Sequence, residues 1–223
     1  MIISMFKTLL MEDIYMSVNN FITFEGGEGA GKTTVIHHIK QRLEELGYNV
    51  ITTREPGGVE LAEKIRDVIL GHNINMDNRT EAILFAASRR EHLVKKVKPF
   101  LDEGYIVLCD RFIDSSLAYQ GYARGIGIDE VLTLNSFSIE DCMPQLTLWL
   151  DIDSQIGLNR IKSNEREMNR LDHEAIHFHE MVRKGYDIIY QQFPERIKKI
   201  DAAQTVEAVV TDCMSNIIKV INK

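Results

Sequence analysis

From Phe21 onward, short apolar runs alternate with longer segments whose apolar positions recur at helical spacing. Phe21–Phe24, Val50–Thr53, Tyr105–Cys109, Leu146–Asp151 and Arg196–Ile200 are continuous or alternating apolar runs that predict strands. Thr33–Leu46, Leu61–Leu70, Thr80–Val97, Asp129–Asp141, Ser154–Ser163, Asp172–Tyr190 and Thr205–Ile221 carry the i, i+3, i+4 pattern of helices. Gly47 stands where a left-handed C-terminal cap would end the first helix, and Pro144 marks a boundary before the fourth strand. Strand–helix alternation is the rhythm of βαβ units, so the expected fold is α/β. It is a three-layer arrangement with a mostly parallel five-stranded sheet flanked by helices. No internal repeat or Pro/Ser-rich linker divides the chain, so residues 17–223 are expected to form a single domain.

Composition narrows the function classes. The chain has 223 residues, 44% hydrophobic and 26% charged, which excludes a disordered or low-complexity protein. Lys and Arg number 26 against 33 Asp and Glu, a net charge of −7 that is a poor footprint for a nucleic-acid binder. Local cation clusters for small anions remain compatible with it. Three cysteines (Cys109, Cys142, Cys213) without Cys-x-x-Cys spacing fit buried thiols in a reducing compartment. No apolar run approaches membrane-spanning length. Residues 1–16 carry four methionines, with Lys7, Glu12 and Asp13 interrupting the apolar character and no small-residue cleavage site. They are expected to be an extension outside the core, with Met16 an alternative start, and the protein is expected in the cytoplasm.

The chemistry begins at Gly26-Gly27-Glu28-Gly29-Ala30-Gly31-Lys32-Thr33, a G-x-x-x-x-G-K-[ST] phosphate loop between a predicted strand and a predicted helix. Glycines let backbone N–H groups turn inward around phosphates, and the helix N-terminus faces the same anion. Lys32 can reach the outer phosphates, and the Thr33 hydroxyl can ligate Mg²⁺, with Thr34 following. Asp110 ends an apolar run, a position from which a carboxylate can hold Mg²⁺ or its waters. The phosphate loop makes the expected architecture a P-loop fold binding ATP.

A rival pattern lies at His173-Glu174-Ala175-Ile176-His177, a literal H-E-x-x-H on a predicted helix, with Glu195 as a conceivable third zinc ligand. No other feature supports zinc peptidase chemistry, and a solvated His/Glu-rich helix face accounts for it. His37, His38, His72 and His92 receive the same reading. Arg54 leaves a predicted strand and Arg111 follows Asp110, so both are expected at the sheet edge that carries the phosphate loop. Phe85, Ser88 and Arg89 share one helix face, an aromatic ring beside two hydrogen-bonding groups that suits a nucleobase. Read alone, Phe85 is more readily a core residue. Ser116 and Gln120 repeat the i, i+4 spacing, and the Gln amide can both donate to and accept from a pyrimidine edge.

Phe24–Thr34, Thr53-Arg54-Glu55-Pro56-Gly57-Gly58, Leu84–His92 and Asp110–Gly121, in this order and spacing, resemble bacterial thymidylate kinase from about Phe21 to the C-terminus. The resemblance implies transfer of the γ-phosphate of ATP to dTMP, with Mg²⁺, in a homodimer that binds neither nucleic acid nor membrane. It implies that Arg54 and Arg111 hold the dTMP phosphate, that Phe85 stacks on thymine, and that Arg89 donates to its O4 with Ser88 in the same pocket. It further implies that Tyr119 packs under the sugar, that Arg66 lies near the base and that Glu28 faces the 3′-hydroxyl. Gly29 departs from members with an Arg there, which implies a catalytic cation from a mobile lid. The polar stretch at about 160–171 supplies Arg160, Lys162, Arg166 and Arg170 for that lid, with Lys162 and Arg166 the expected catalytic cations beside Lys32, Asp110 and Arg111. Other expectations remain open: a kinase for a different nucleotide or small acceptor, and a non-catalytic ATP-binding switch.

Overall fold

The computed structural model describes residues 20–71, 76–163, 170–171 and 174–222. The N-terminal extension at 1–16, His72, Arg166 and His173 lie outside the described residues. Five strands form one sheet: β1 (Phe21–Glu25), β2 (Val50–Arg54), β3 (Ile106–Asp110), β4 (Leu146–Asp151) and β5 (Ile197–Asp201). Their order is β2-β3-β1-β4-β5 and every described pairing is parallel, which sharpens the mostly parallel expectation. The central strands β1 and β4 are buried at every position, because helices cover both faces.

One face is covered by α1 (Lys32–Glu45) and α9 (Val206–Ile221). Ile39 and Leu43 of α1 and Val210 and Ile217 of α9 pack there against Ile22, Phe24, Leu108 and Leu148 of the strands. The opposite face carries α3 (Asn78–His92), α6 (Ile128–Ile139) and α8 (Ile176–Gln192), packed on Phe21, Val107 and Trp149. Between β2 and α3 lies α2 (Glu60–Leu70). The Asp77 carboxylate caps α3 by accepting from the N–H groups of Arg79 and Thr80, so this helix starts ahead of the predicted Thr80. It continues through a π-turn, Leu93–Val97, into α4 (Lys98–Asp102).

Sequence periodicity misses α4 and the helical segment that follows β3. After β3 the chain forms α5 (Ile113–Ser116) and runs on as a π-helix, Leu117–Ala123. Residues 112–121 are buried on every side, polar Ser115, Ser116 and Gln120 included, so no amphipathic stripe marks them. α7 (Ser154–Ser163) matches its expected bounds. α8 begins at Ile176 rather than Asp172, with Ala175 extended ahead of it.

Candidate active site

The strand order places β1 at the point where successive connections leave in opposite directions, and the phosphate loop emerges there from its carboxyl end. Register aligns Phe24 with Asp110 and Arg54 with Asp110, so three strand ends deliver the loop, a carboxylate and a guanidinium side by side. A cleft of about 400 Å³ opens over them. It is lined by Glu28–Thr34 on one side and by Arg54, Arg66, Phe85, Arg111, Tyr119 and Gln120 on the other.

Lys32 is buried, its Nζ donating to the carbonyls of Gly26 and Gly27 at 3.1 Å each. Burial first, then the Arg111 charge, push its pKa down. Burial followed by Arg54 likewise lowers Arg66, whose Nη1 donates to the Pro56 carbonyl at 2.8 Å. Burial opposes the Arg111 charge too, yet Glu28, Tyr119, Tyr186 and Asp110 together outweigh it and hold the group well above the usual arginine value. Arg111 Nη2 donates to Glu28 Oε1 at 2.6 Å, and the guanidinium lies over the Tyr119 ring at 5.1 Å. Tyr119 OH donates to the same Glu28 oxygen at 3.1 Å. Arg54 forks onto both Glu63 carboxylate oxygens at 2.9 and 3.0 Å. Burial first, and neighbouring cations second, thus disfavour the charged forms of Lys32 and Arg66, and an anion entering the cleft offsets both.

Thr33 Oγ1 donates to Asp110 Oδ2 at 3.0 Å, bringing two hard oxygen donors together beside the loop. That donor chemistry fits Mg²⁺, which takes one or two protein oxygens and fills its octahedron with phosphate oxygens and water.

Behind the cleft wall stands Glu25, fully buried at the end of β1. It accepts from the Phe112 N–H at 2.7 Å, Ser115 Oγ at 2.5 Å and Tyr186 OH at 2.9 Å. Ser115 and Tyr186 also face Arg111, at 3.2 and 3.4 Å, so the carboxylate fixes the groups that seat this guanidinium. Burial, then the Asp114 carboxylate, push Glu25 up to about 7. The signal that marks Asp110, an acid ending an apolar strand, is equally present at Glu25.

Several expected residues lie elsewhere. Arg89 does not line the cleft; it is buried, with Nε on Glu55 at 2.8 Å, Nη1 on Ser116 and Asn135, and Nη2 on the Phe112 carbonyl at 3.0 Å. Ser88 is turned toward the Ala62 carbonyl, and Ser116 serves Arg89, so these three stand behind the cleft wall rather than on it. His92, expected on a solvated face, is wholly buried between Glu55 and Thr53, at 2.9 and 2.7 Å. Of the cations expected in a lid, Arg160 donates to the Ala202 carbonyl at 3.2 Å and Arg170 to Glu81 and the Ile69 carbonyl, so neither points into the phosphate loop. Lys162 is exposed at the end of α7. The zinc pattern dissolves: Glu174 precedes α8 and pairs with Arg124 at 2.5 Å, while His177 is exposed on α8 beside Glu180. Among the described residues no group of three potential ligands could hold a metal ion in the manner of such a site.

The sequence model of the thymidylate kinase family matches residues 24–213. The thymidylate kinase of Oceanobacillus iheyensis is 59% identical over 205 residues, covering 91% of this chain and 91% of that protein. That of Bacillus velezensis is 58% identical over 91% of this chain and 97% of its own length, and that of Clostridium novyi 58% identical over 87% and 96%. A crystal structure of thymidylate kinase from Ehrlichia chaffeensis superposes with a TM-score of 0.73 at 36% identity, covering 89% of this chain and 97% of the other. Together with the phosphate loop and the cation-lined cleft beside it, these likenesses show that the chain belongs to the thymidylate kinase family.

Proposed function

We propose that this enzyme transfers the γ-phosphoryl group of ATP to dTMP, giving dTDP and ADP. The observation that carries this reading is the second set of cations. Arg54, Arg66 and Arg111 share one cleft with the phosphate loop, and a kinase with an anionic acceptor needs two anion sites in contact. ATP is assigned to Gly26–Thr34, and the dTMP phosphate to Arg54 and Arg111. Phe85 offers its ring to the base, Gln120 its amide to the pyrimidine edge, and Tyr119 packs beneath the sugar. Glu28, held by Arg111 and Tyr119, lies within reach of the 3′-hydroxyl. The acceptor phosphate is already anionic, so the reaction demands positioning and charge stabilisation rather than a general base.

Mg²⁺ would be held by Thr33 and Asp110 and would supply neutralisation of the donor phosphate charge. Lys32 needs only to leave the loop carbonyls it now bonds to meet an incoming phosphate. Lys162 and Arg166 are assigned as the cations brought to the transferring group from the stretch at about 160–171. A homodimer is supported by apolar side chains left exposed on adjacent helices: Leu61 and Val68 on α2, Ile83 on α3, Val94 in the π-turn that continues it, and Phe137 on α6. Three buried free cysteines suit a reducing cytoplasm. Among the described residues no helix is long and apolar enough to cross a membrane.

The test is ADP release from ATP with Mg²⁺ when dTMP, dUMP, dCMP, dGMP, AMP and UMP are offered separately. Turnover concentrated on dTMP supports the reading. Preference for another acceptor keeps the reaction class but breaks the base assignment, and ATP binding without any transfer points instead to a switch.

A further inference from the structure

Glu81 lies one helical turn before Phe85 on the buried face of α3, and only 1% of it is exposed. Its carboxylate has three partners. Oε1 accepts from Gln120 Nε2 at 2.8 Å and from Arg124 Nε at 3.5 Å, and Oε2 accepts from Arg170 Nη2. An ionised carboxylate has acceptors only, so it dictates which end of the Gln120 amide it receives: the NH₂ group. Turned the other way, the amide would press its carbonyl against a buried carboxylate and leave two acceptors facing each other. Gln120 also lines the cleft, and among the described residues no group donates to its Oε1.

We propose that Glu81 is a positioning residue for acceptor choice. By taking Gln120 Nε2, it leaves the Gln120 carbonyl to face the base, where it accepts from the ring N3–H of an imide pyrimidine. Thymine and uracil carry that N3–H. Cytosine carries a lone pair at N3, which meets the carbonyl acceptor to acceptor. With the ring against Phe85 and the phosphate fixed by Arg54 and Arg111, the base cannot slide to offer its amino group instead. A hydrogen-bonding site of this kind rejects the wrong edge strongly because a buried polar atom is left unpaired. The inference rests on the dTMP reading above and deepens it.

The experiment compares kcat/KM for dTMP, dUMP and dCMP in the unaltered enzyme, in Glu81→Gln and in Glu81→Asp. The amide introduced by Glu81→Gln can donate as well as accept, so the Gln120 amide is free to turn over and offer Nε2 to cytosine N3. The expected result is a fall of at least tenfold in the dTMP:dCMP ratio, with the dTMP:dUMP ratio and the KM for ATP unchanged. Glu81→Asp keeps the charge for Arg124 and Arg170 but withdraws the carboxylate by one methylene, so it shows the same shift and serves if Glu81→Gln does not fold. A dTMP:dCMP ratio held at the unaltered value in the folded variants overturns the inference, as does an equal loss with all three nucleotides. Absence of dTMP turnover in the unaltered enzyme overturns the acceptor assignment and this inference with it.

Discussion

The backbones of Gly29 and Gly157 press against each other: a Cβ on Gly29 would lie 2.0 Å from the Gly157 carbonyl oxygen, and one on Gly157 would lie 2.2 Å from the Glu28 carbonyl oxygen. Gly29 is also left-handed, with φ of 71°. The phosphate loop is therefore seated on the first turns of α7, the helix whose end carries Lys162. No side chain fits at position 29 in this conformation.

Gly29→Ala should displace the loop from α7. The backbone conformation alone costs about 1–3 kcal/mol for a residue with a Cβ, and the rigid Gly157 carbonyl adds a clash. The expected outcome is a lower Tm together with a KM for ATP raised at least tenfold, read by thermal denaturation and steady-state kinetics. Unchanged ATP kinetics would show that the loop has room to move.

Arg89 and Arg54 separate stability from binding. Arg89→Met leaves the buried Glu55 carboxylate without its guanidinium, and breaking such a pair costs about 3–5 kcal/mol. Arg54 is half exposed on Glu63, so Arg54→Met should move stability by less than about 1 kcal/mol while raising the KM for dTMP at least tenfold. Denaturant melts and dTMP titrations of both variants decide it. An Arg89→Met protein of normal stability with lost dTMP affinity would return Arg89 to the base.

Glu25 makes stability depend on pH. Its carboxyl is raised from an ordinary 4.5 to about 7 by burial and then by Asp114, so between these values the folded protein holds a proton that the unfolded chain has released. Stability from this group is complete below about 4.5 and falls as pH rises to about 7, by up to about 3 kcal/mol. Glu25→Gln removes that slope. Melting curves at several pH values check it, and identical slopes in both proteins would refute the assignment.

Asp110→Asn and Thr33→Ala should each raise the Mg²⁺ concentration for half-maximal rate by about 10–100-fold, the usual cost of disturbing a metal site. A Mg²⁺ titration at saturating ATP and dTMP reads the effect. An unshifted curve would remove Thr33 and Asp110 from the ion.

Chemistry carried by local sequence was legible, and chemistry carried by packing was not. Gly26–Thr33 and the strand-ending Asp110 are read from short patterns, because a turn around phosphate and a strand end are local geometry. The helix around Gln120 leaves no periodic trace, since burial on all sides replaces the polar face that a pattern detects. Glu81 sits on a helix whose period is read, and Glu25 ends a strand as Asp110 does, but neither pattern tells which partners a buried carboxylate meets. Arg89 shows the opposite error: its spacing from Phe85 places both on one helix face, yet spacing cannot say how deep that face is buried.

The sequence by itself determined the alternation of strands and helices, the phosphate loop, the strand-ending carboxylate of Asp110 and the arginines at or just past the ends of strands β2 and β3. Each depends on residues adjacent in the chain or on a period of two or 3.6. The tertiary structure alone decided that Arg54 and Arg111 face the cleft while Arg89 turns to Glu55, that His92 is buried, and that Glu81 holds Gln120. Those choices depend on which charges the folded core can pair, and such pairs form between residues tens of positions apart.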